Sequence, residues 1–143
     1  MSDGDLIALY SARILELTTQ IPHLGRLDGA MGAGTARSPQ CGSTVSVEVA
    51  VQDGQITGFA QTVKACALGQ ASAAIFGAGV VGQKAADLPA LRAKVADMLA
   101  LGTAPPPAPF AEFQVLRAAQ AYKNRHASIL LCIDATIKAC EAS

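Results

Sequence analysis

The stretch STVSVEVAVQDGQI, residues 43–56, decides the fold class of this chain. Small or polar residues alternate in it with four valines, Val45, Val47, Val49 and Val51. A period of two is typical of a strand with one buried face. The Asp53-Gly54 pair that follows is a strong hairpin signal, because glycine adopts positive φ without steric cost. The sequence therefore predicts an antiparallel hairpin whose return strand covers roughly residues 55–63, with a bulge at Gly58.

Helical patterns flank this hairpin on both sides. Apolar residues at three- and four-residue spacing predict a first helix from Asp5 that Pro22 ends, followed by a glycine-rich loop up to residue 39. Beyond the hairpin, we expect helices from Cys66 to about residue 76, from about residue 88, from about residue 110, and from about 125 to 140. The proline-rich segment TAPPPAP, residues 103–109, is expected to be a connector inside one domain.

These elements predict an α+β fold in a single domain covering residues 1–143. The fold is a small antiparallel sheet of two or three strands with helices packed on one face. A chain of this length buries a substantial core by itself.

The charge balance excludes several classes of function. Lys+Arg and Asp+Glu both number 11, so the net charge is zero. Nucleic-acid binding and polybasic membrane anchoring both need a basic surface, so neither is expected.

The N-terminal residues carry acids where a signal peptide needs positive charge, which predicts a cytoplasmic protein with reduced cysteines. The uncharged stretch from Ala65 to Gln83 is interpreted as a buried helix and loop, not as a membrane span.

No familiar catalytic or cofactor-binding motif accounts for the function of the chain. GAGVVG, residues 77–82, fits G-x-G-x-x-G, but it follows a predicted helix where a dinucleotide site needs a strand. We therefore interpret it as the exit from that helix. Of the four cysteines, Cys132 and Cys140 lie within the last amphipathic helix and are interpreted as small hydrophobic residues.

The other two cysteines, Cys41 and Cys66, flank the hairpin. Because a hairpin returns its two open ends to the same end of the sheet, we expect their sulfur atoms to lie within ~7 Å of each other. Cys66 also opens a helix, where free N–H groups and the positive end of the helix dipole stabilise a thiolate.

The chain resembles a known family along nearly its whole length. The segments SPQCGSTVSVEVAVQDGQI, KACALGQASAAI and NRHASILLCIDATIKAC are similar to the U-type iron–sulfur cluster scaffolds, namely IscU, SufU and the N-terminal domain of NifU. The resemblance implies that Cys41 and Cys66 bind the cargo, namely the iron and sulfur of the cluster. The 61 residues from Cys66 to Ala127 resemble the longer spacing of SufU-like members.

Two positions depart from the family pattern. Ala127 stands where the resemblance places a third cysteine, and Ser43 stands where it places an aspartate. His126, beside the missing cysteine, offers an imidazole ligand, and the Ser43 hydroxyl is a poor one. Cys132 lies five residues beyond Ala127, about 140° around a helix, and is expected to point elsewhere.

The resemblance implies a scaffold for iron–sulfur cluster assembly, not an enzyme. It would bind iron or a [2Fe–2S] cluster, or accept sulfur, at Cys41 and Cys66, with His126 and Ser43 as further metal ligands. Its partners would be a cysteine desulfurase and apo iron–sulfur acceptor proteins. The altered ligand set leaves two alternatives open, namely a relative that binds zinc or relays a persulfide, and a metal-free interaction protein.

Overall fold

The computed structural model describes residues 10–39 and 42–143 of the chain. Its strands are β1 (Gly32–Arg37), β2 (Thr44–Gln52) and β3 (Gln55–Lys64), and they form an antiparallel sheet in the order β1-β2-β3. Its α-helices are α1 (Ala12–Thr18), α2 (Ala67–Gly79), α3 (Leu88–Leu101) and α4 (His126–Glu141). Short 3-10 helices cover Ala85–Asp87, Ala111–Ala119 and Lys123–Arg125. The predicted α+β class is confirmed.

The hairpin of β2 and β3 forms where the sequence predicts it. Asp53 and Gly54 have φ values of 52° and 80°, and positive φ at both central residues is the signature of a type I′ turn. The strand register shifts between Ala50 and Val51, which leaves Thr57 as an extra residue beside Gly58. The predicted bulge is therefore present. Val45, Val47 and Val49 are at most 1% exposed, while Val51 beside the bulge is partly buried, and the burial of these side chains fixes the register.

Strand β1 corrects the sequence prediction, which assigned this glycine-rich segment to a loop. Its register places Gly34 opposite Val47 and Ala36 opposite Val45. A Cβ atom at Gly34 would lie 2.5 Å from the carbonyl oxygen of Ala135 and 2.6 Å from the backbone nitrogen of Ala139. Both atoms belong to the backbone of α4, so the strand forms because bare backbone lets this helix pack directly on it. Strand propensity contributes little here.

The first described helix also differs from its prediction. Helix α1 begins at Ala12 because the Ser11 hydroxyl accepts a hydrogen bond from the N–H of Ile14 at 3.3 Å. It ends at Thr18, four residues before Pro22. The Thr18 hydroxyl donates a hydrogen bond to the carbonyl oxygen of Leu15 in the last turn. This contact favours an end of the helix at Thr18, before the predicted end at Pro22. The part of the prediction that covers residues 5–9 lies outside the described residues.

Helix α4 covers the inner face of the sheet, and α2 and α3 pack against it. Helix α4 packs on β1, β2, α2 and α3, and the buried face of α3 carries Leu91, Val95, Met98 and Leu99. The GAGVVG motif lies at the end of α2, as the sequence indicates, with no strand before it. Among the described helices, none has both the length and the apolar character that crossing a membrane requires.

The outer edge of β1 is held by a side chain of α4. The ammonium group of Lys138 donates a hydrogen bond to the carbonyl oxygen of Thr35 at 3.1 Å. This contact, together with the close approach at Gly34, fixes α4 along the strand.

We predict that Gly34→Ala destabilises the protein, because its new methyl group would overlap the backbone of α4. Overpacking of this kind costs about 1–3 kcal/mol. Urea denaturation followed by circular dichroism measures the free energy of unfolding. Ala33→Val is the matched control, since Ala33 is exposed on the opposite face of the same strand. Equal unfolding free energies for the two variants would contradict the packing argument.

Candidate functional site

Cys66 occupies the N-cap position of α2, two residues after the end of β3. Its backbone is extended, with φ −65° and ψ 170°, and its side chain is partly buried. The sulfur lies 3.5 Å from the hydroxyl oxygen of Ser128, which comes from the first turn of α4. The end of the sheet and the starts of two helices therefore meet at this thiol.

Ser128 connects the thiol to the loop between β1 and β2. It is 1% exposed, and its hydroxyl donates a hydrogen bond to the hydroxyl oxygen of Ser43 at 3.0 Å. Helix α4 approaches this closely because residue 69 is glycine. A Cβ atom at Gly69 would lie 2.8 Å from the Ser128 hydroxyl oxygen. The result is a continuous polar contact from Cys66 through Ser128 to Ser43.

Backbone hydrogen bonds close the loop that carries Ser43. The N–H of Ser38 donates to the carbonyl of Ser43, and the N–H of Gly42 donates to the carbonyl of Ser38, both at 2.9 Å. Gly42 has φ 69°, which favours glycine at this position. Gln40 and Cys41 lie outside the described residues, so the expected separation of the Cys41 and Cys66 sulfurs stays a prediction.

The surroundings of Cys66 favour its thiolate form. Burial by itself raises the pKa of the thiol, because a charge is poorly solvated there. A hydrogen bond from the Ser128 hydroxyl, whose single hydrogen turns from Ser43 to a thiolate sulfur, acts in the opposite direction. Hydrogen bonds from the backbone N–H groups of Gly69 and Leu68 and from the Arg125 guanidinium act with it, and together they outweigh burial. The pKa of Cys66 is therefore lower than that of an ordinary cysteine.

His126 begins α4, but its ring is turned toward the preceding segment. Its Nε2 atom lies 2.9 Å from the carbonyl oxygen of Ala119 and 3.1 Å from that of Gln120. Because carbonyls only accept, Nε2 carries the hydrogen, and Nδ1 holds the lone pair of the neutral ring. Metal-bound imidazoles are commonly oriented in this way. Within residues 10–39 and 42–143, however, no three His, Cys, Asp or Glu side chains are grouped to hold a metal ion.

The side chain of α4 that reaches Cys66 belongs to Ser128, not to Ala127. Ala127 is exposed, although the family resemblance assigns it the third-cysteine position. Neither Ser128 nor Arg125 is among the site residues that the sequence predicts. The sequence carries no local signal for Ser128, because an error of one residue in the rotation of a helix moves a side chain by about 100°.

The other two thiols belong to the hydrophobic interior. Cys132 is 1% exposed, and its sulfur lies 3.3 Å from the Ser72 hydroxyl oxygen, between α2 and α4. Burial raises the pKa of Cys132 to about 12. Burial, followed by the nearby charge of Glu141, also raises the pKa of Cys140. Neither environment favours a reactive thiolate.

Comparison with known proteins gives a family match and solved structures of the same fold. The family model described as NifU-like N terminal domain matches residues 9–128. A crystal structure of a nitrogen-fixing NifU-like protein (N-terminal) from Brucella abortus is 37% identical, with TM-score 0.92 and 96% of each chain covered. No curated protein sequence matches the chain significantly.

Two further crystal structures are similar in fold alone. One is of a hypothetical protein, 24% identical with TM-score 0.78, and the match covers 94% of this chain and 98% of that one. The other is FiSufU from the thermophile Fervidobacterium islandicum AW-1, named for the SUF system of iron–sulfur cluster assembly. It is 17% identical with TM-score 0.80, and the match covers 91% of this chain and 95% of that one.

We predict that Ser128→Ala raises the pKa of Cys66, because it removes a hydrogen bond to the sulfur. A hydrogen bond is worth about 1 kcal/mol, so alkylation of Cys66 at pH 7 should slow about fivefold. The measurement is the iodoacetamide rate from pH 5 to 10, with the modified peptide identified by mass spectrometry.

Ser72→Ala is the control for that experiment, because Ser72 contacts Cys132 and not Cys66. Its alkylation profile should match that of the parent protein. An unchanged profile for Ser128→Ala would mean that Ser128 does not stabilise the thiolate.

Proposed function

Because the chain belongs to the NifU-like N terminal domain family, we propose that it is an iron–sulfur cluster assembly scaffold that receives its cargo at Cys41 and Cys66. Family membership supports the scaffold role in general, and such proteins are generally not enzymes. The observation that supports a cargo site most directly is the environment of Cys66. A partly buried thiol whose neighbours favour the thiolate is suited to bind a metal or a sulfur atom.

The ligand set of this scaffold is smaller than a closed site requires. A [2Fe–2S] cluster or a structural zinc ion is usually held by four protein ligands. The chain offers two thiols, and the hydroxyls of Ser43 and Ser128 bond to each other beside Cys66. His126 adds an imidazole whose Nδ1 lone pair is available in the neutral ring. We therefore propose that a cluster is held as labile cargo, with the remaining ligands supplied by a partner or a small thiol.

The partners follow from this role. The scaffold family interacts in general with cysteine desulfurases and apo acceptor proteins, and we propose the same two classes for this chain. We also propose a cytoplasmic location and no catalytic turnover of its own.

One observation supports a second function, in which the protein accepts sulfur or relays a persulfide. Among the groups around the Cys66 sulfur, the backbone N–H groups of Leu68 and Gly69 and the Arg125 guanidinium offer no lone pair, and only the Ser128 hydroxyl does, whereas a metal ion needs neighbouring lone pairs. This favours a sulfur-accepting or persulfide-relaying protein over the zinc-binding alternative.

The proposed function is tested by anaerobic reconstitution with ferrous iron and sulfide. We expect sulfide-to-iron absorption bands and bound iron in the parent protein, and loss of both in Cys66→Ser and Cys41→Ser. Cys140→Ser is the matched control, since Cys140 is a partly buried thiol elsewhere on the fold. His126→Ala is measured beside them, and a lower iron content would support imidazole ligation. Equal iron and sulfide in the parent and Cys66→Ser would exclude Cys66 as the cargo site.

We predict that Ser128→Cys increases retention of iron and sulfide, whereas Ala127→Cys leaves it unchanged. The Ser128 hydroxyl oxygen is 3.5 Å from the Cys66 sulfur, close to the separation of two ligands on one tetrahedral metal with bonds of about 2.0–2.3 Å. Ala127 is exposed and has no such position. The iron and sulfide remaining after gel filtration with a chelator measure retention. A gain for Ala127→Cys alone would show that the third position is residue 127, as the family resemblance implies.

A further inference from the structure

The first turn of α4, which carries Ser128, lacks a cap of the usual kind. The N-cap residue, Arg125, has no side-chain acceptor, and in the described part of the chain no side-chain hydrogen bond caps the helix there. The first four N–H groups of a helix have no partner within it, and an uncapped end frays. Gly69 lets Ser128 approach Cys66, but a glycine has no side chain that holds it there. The contact between Ser128 and the thiol therefore needs a further restraint.

The imidazole of His126 supplies a restraint by joining this turn to the preceding segment. Its Nε2 atom, which carries the hydrogen, lies 2.9 Å from the carbonyl oxygen of Ala119 and 3.1 Å from that of Gln120. Both carbonyls belong to the end of the 3-10 helix Ala111–Ala119, where backbone acceptors have no partner within the helix. One N–H group therefore connects the end of that 3-10 helix to the start of α4.

This 3-10 helix is itself anchored to the rest of the fold. Three of its side chains are fully buried: Phe113, Leu116 and Ala119. Its Glu112 forms an ion pair with Arg13 of α1. The guanidinium of Arg117 donates a hydrogen bond to the carbonyl oxygen of Gly102 at 2.9 Å. The imidazole of His126 thus fastens the first turn of α4 to a segment that is held in place from several sides.

We propose, on the basis of the proposed scaffold function, that His126 is a positioning residue of the cargo site, whose imidazole holds the first turn of α4 so that Ser128 stays against Cys66. Ser128 follows His126 by two residues in the same turn. Its hydroxyl oxygen lies 3.5 Å from the Cys66 sulfur and 3.0 Å from the hydroxyl oxygen of Ser43. Both contacts require the turn to stay closed, and neither requires the imidazole to touch the cargo.

Positioning and metal ligation need different atoms of the imidazole. Positioning uses the Nε2–H group, whereas ligation would use the Nδ1 lone pair. Glutamine carries an amide N–H that takes the place of Nε2–H, but its amide is a poor ligand for iron and zinc. Phenylalanine keeps a planar ring and has neither the N–H nor the lone pair. His126→Gln should therefore preserve positioning alone, and His126→Phe should preserve neither role.

The rate at which iodoacetamide alkylates Cys66 at pH 7, followed by mass spectrometry, tests the position of Ser128. We expect His126→Ala and His126→Phe to slow alkylation about threefold, because a displaced Ser128 no longer donates a hydrogen bond to the thiolate. His126→Gln should stay within about twofold of the parent, since it keeps a donor. His23→Ala is the control and should match the parent, because the ring of His23 packs against Phe59 of β3. An equal or faster rate in His126→Phe, or a rate in His126→Gln as slow as in His126→Phe, would overturn the inference.

A double variant tests whether His126 acts through Ser128. Combining His126→Ala with Ser128→Ala should slow alkylation no further than Ser128→Ala alone, because the hydrogen bond that His126 maintains is already absent. Additive slowing would contradict the inference, since His126 would then influence Cys66 by another route.

Anaerobic reconstitution with ferrous iron and sulfide separates this inference from the proposed function. His126→Gln should retain as much iron as the parent, because the imidazole is not required as a ligand. Iron loss in His126→Gln as large as in His126→Ala would replace the positioning role with ligation and leave the scaffold function standing. If the parent itself binds no iron or sulfide, the proposed function fails, while the alkylation rates still decide whether His126 positions Ser128.

Discussion

The close approach of α4 to its neighbours is the constraint on which the rest of the structure depends. Gly34 lets the backbone of this helix lie directly on β1, and Gly69 lets its first turn lie against the start of α2. Between these two contacts the helix has little freedom to rotate or slide. The position of Ser128 against Cys66 is therefore a result of backbone packing at both ends.

The sequence predicts the hairpin and the longer helices because their signals are local. Alternating valines and an Asp-Gly turn specify β2 and β3 with no information from the rest of the chain. Strand β1 has no such pattern, since its glycines and alanines become a strand only through contact with a helix a hundred residues away. Tertiary packing overrides propensity there, and no local signal indicates it.

The candidate site likewise contains one residue that local sequence signals predict and two that they do not. Cys66 was predictable because a helix start and a hairpin end both fall on it. Ser128 and Arg125 were not identified, since they depend on the rotation of α4, and an error of one residue moves a side chain by about 100° around a helix. The contrast with Cys132 shows how strongly position decides chemistry. Both thiols face a serine hydroxyl, yet full burial raises the pKa of Cys132, whereas donors at the helix start lower the pKa of Cys66.

The hydrogen bond from Lys138 to Thr35 has a consequence for the behaviour of the protein at high concentration. Strand β1 lies at the edge of the sheet, and an open edge is a template for pairing with the strand of another molecule. An invading strand would have to displace an ammonium group and bury it without water. Lys138 therefore covers part of the β1 edge that would otherwise be open to pairing between copies of the chain, and so works against fibrillar aggregation.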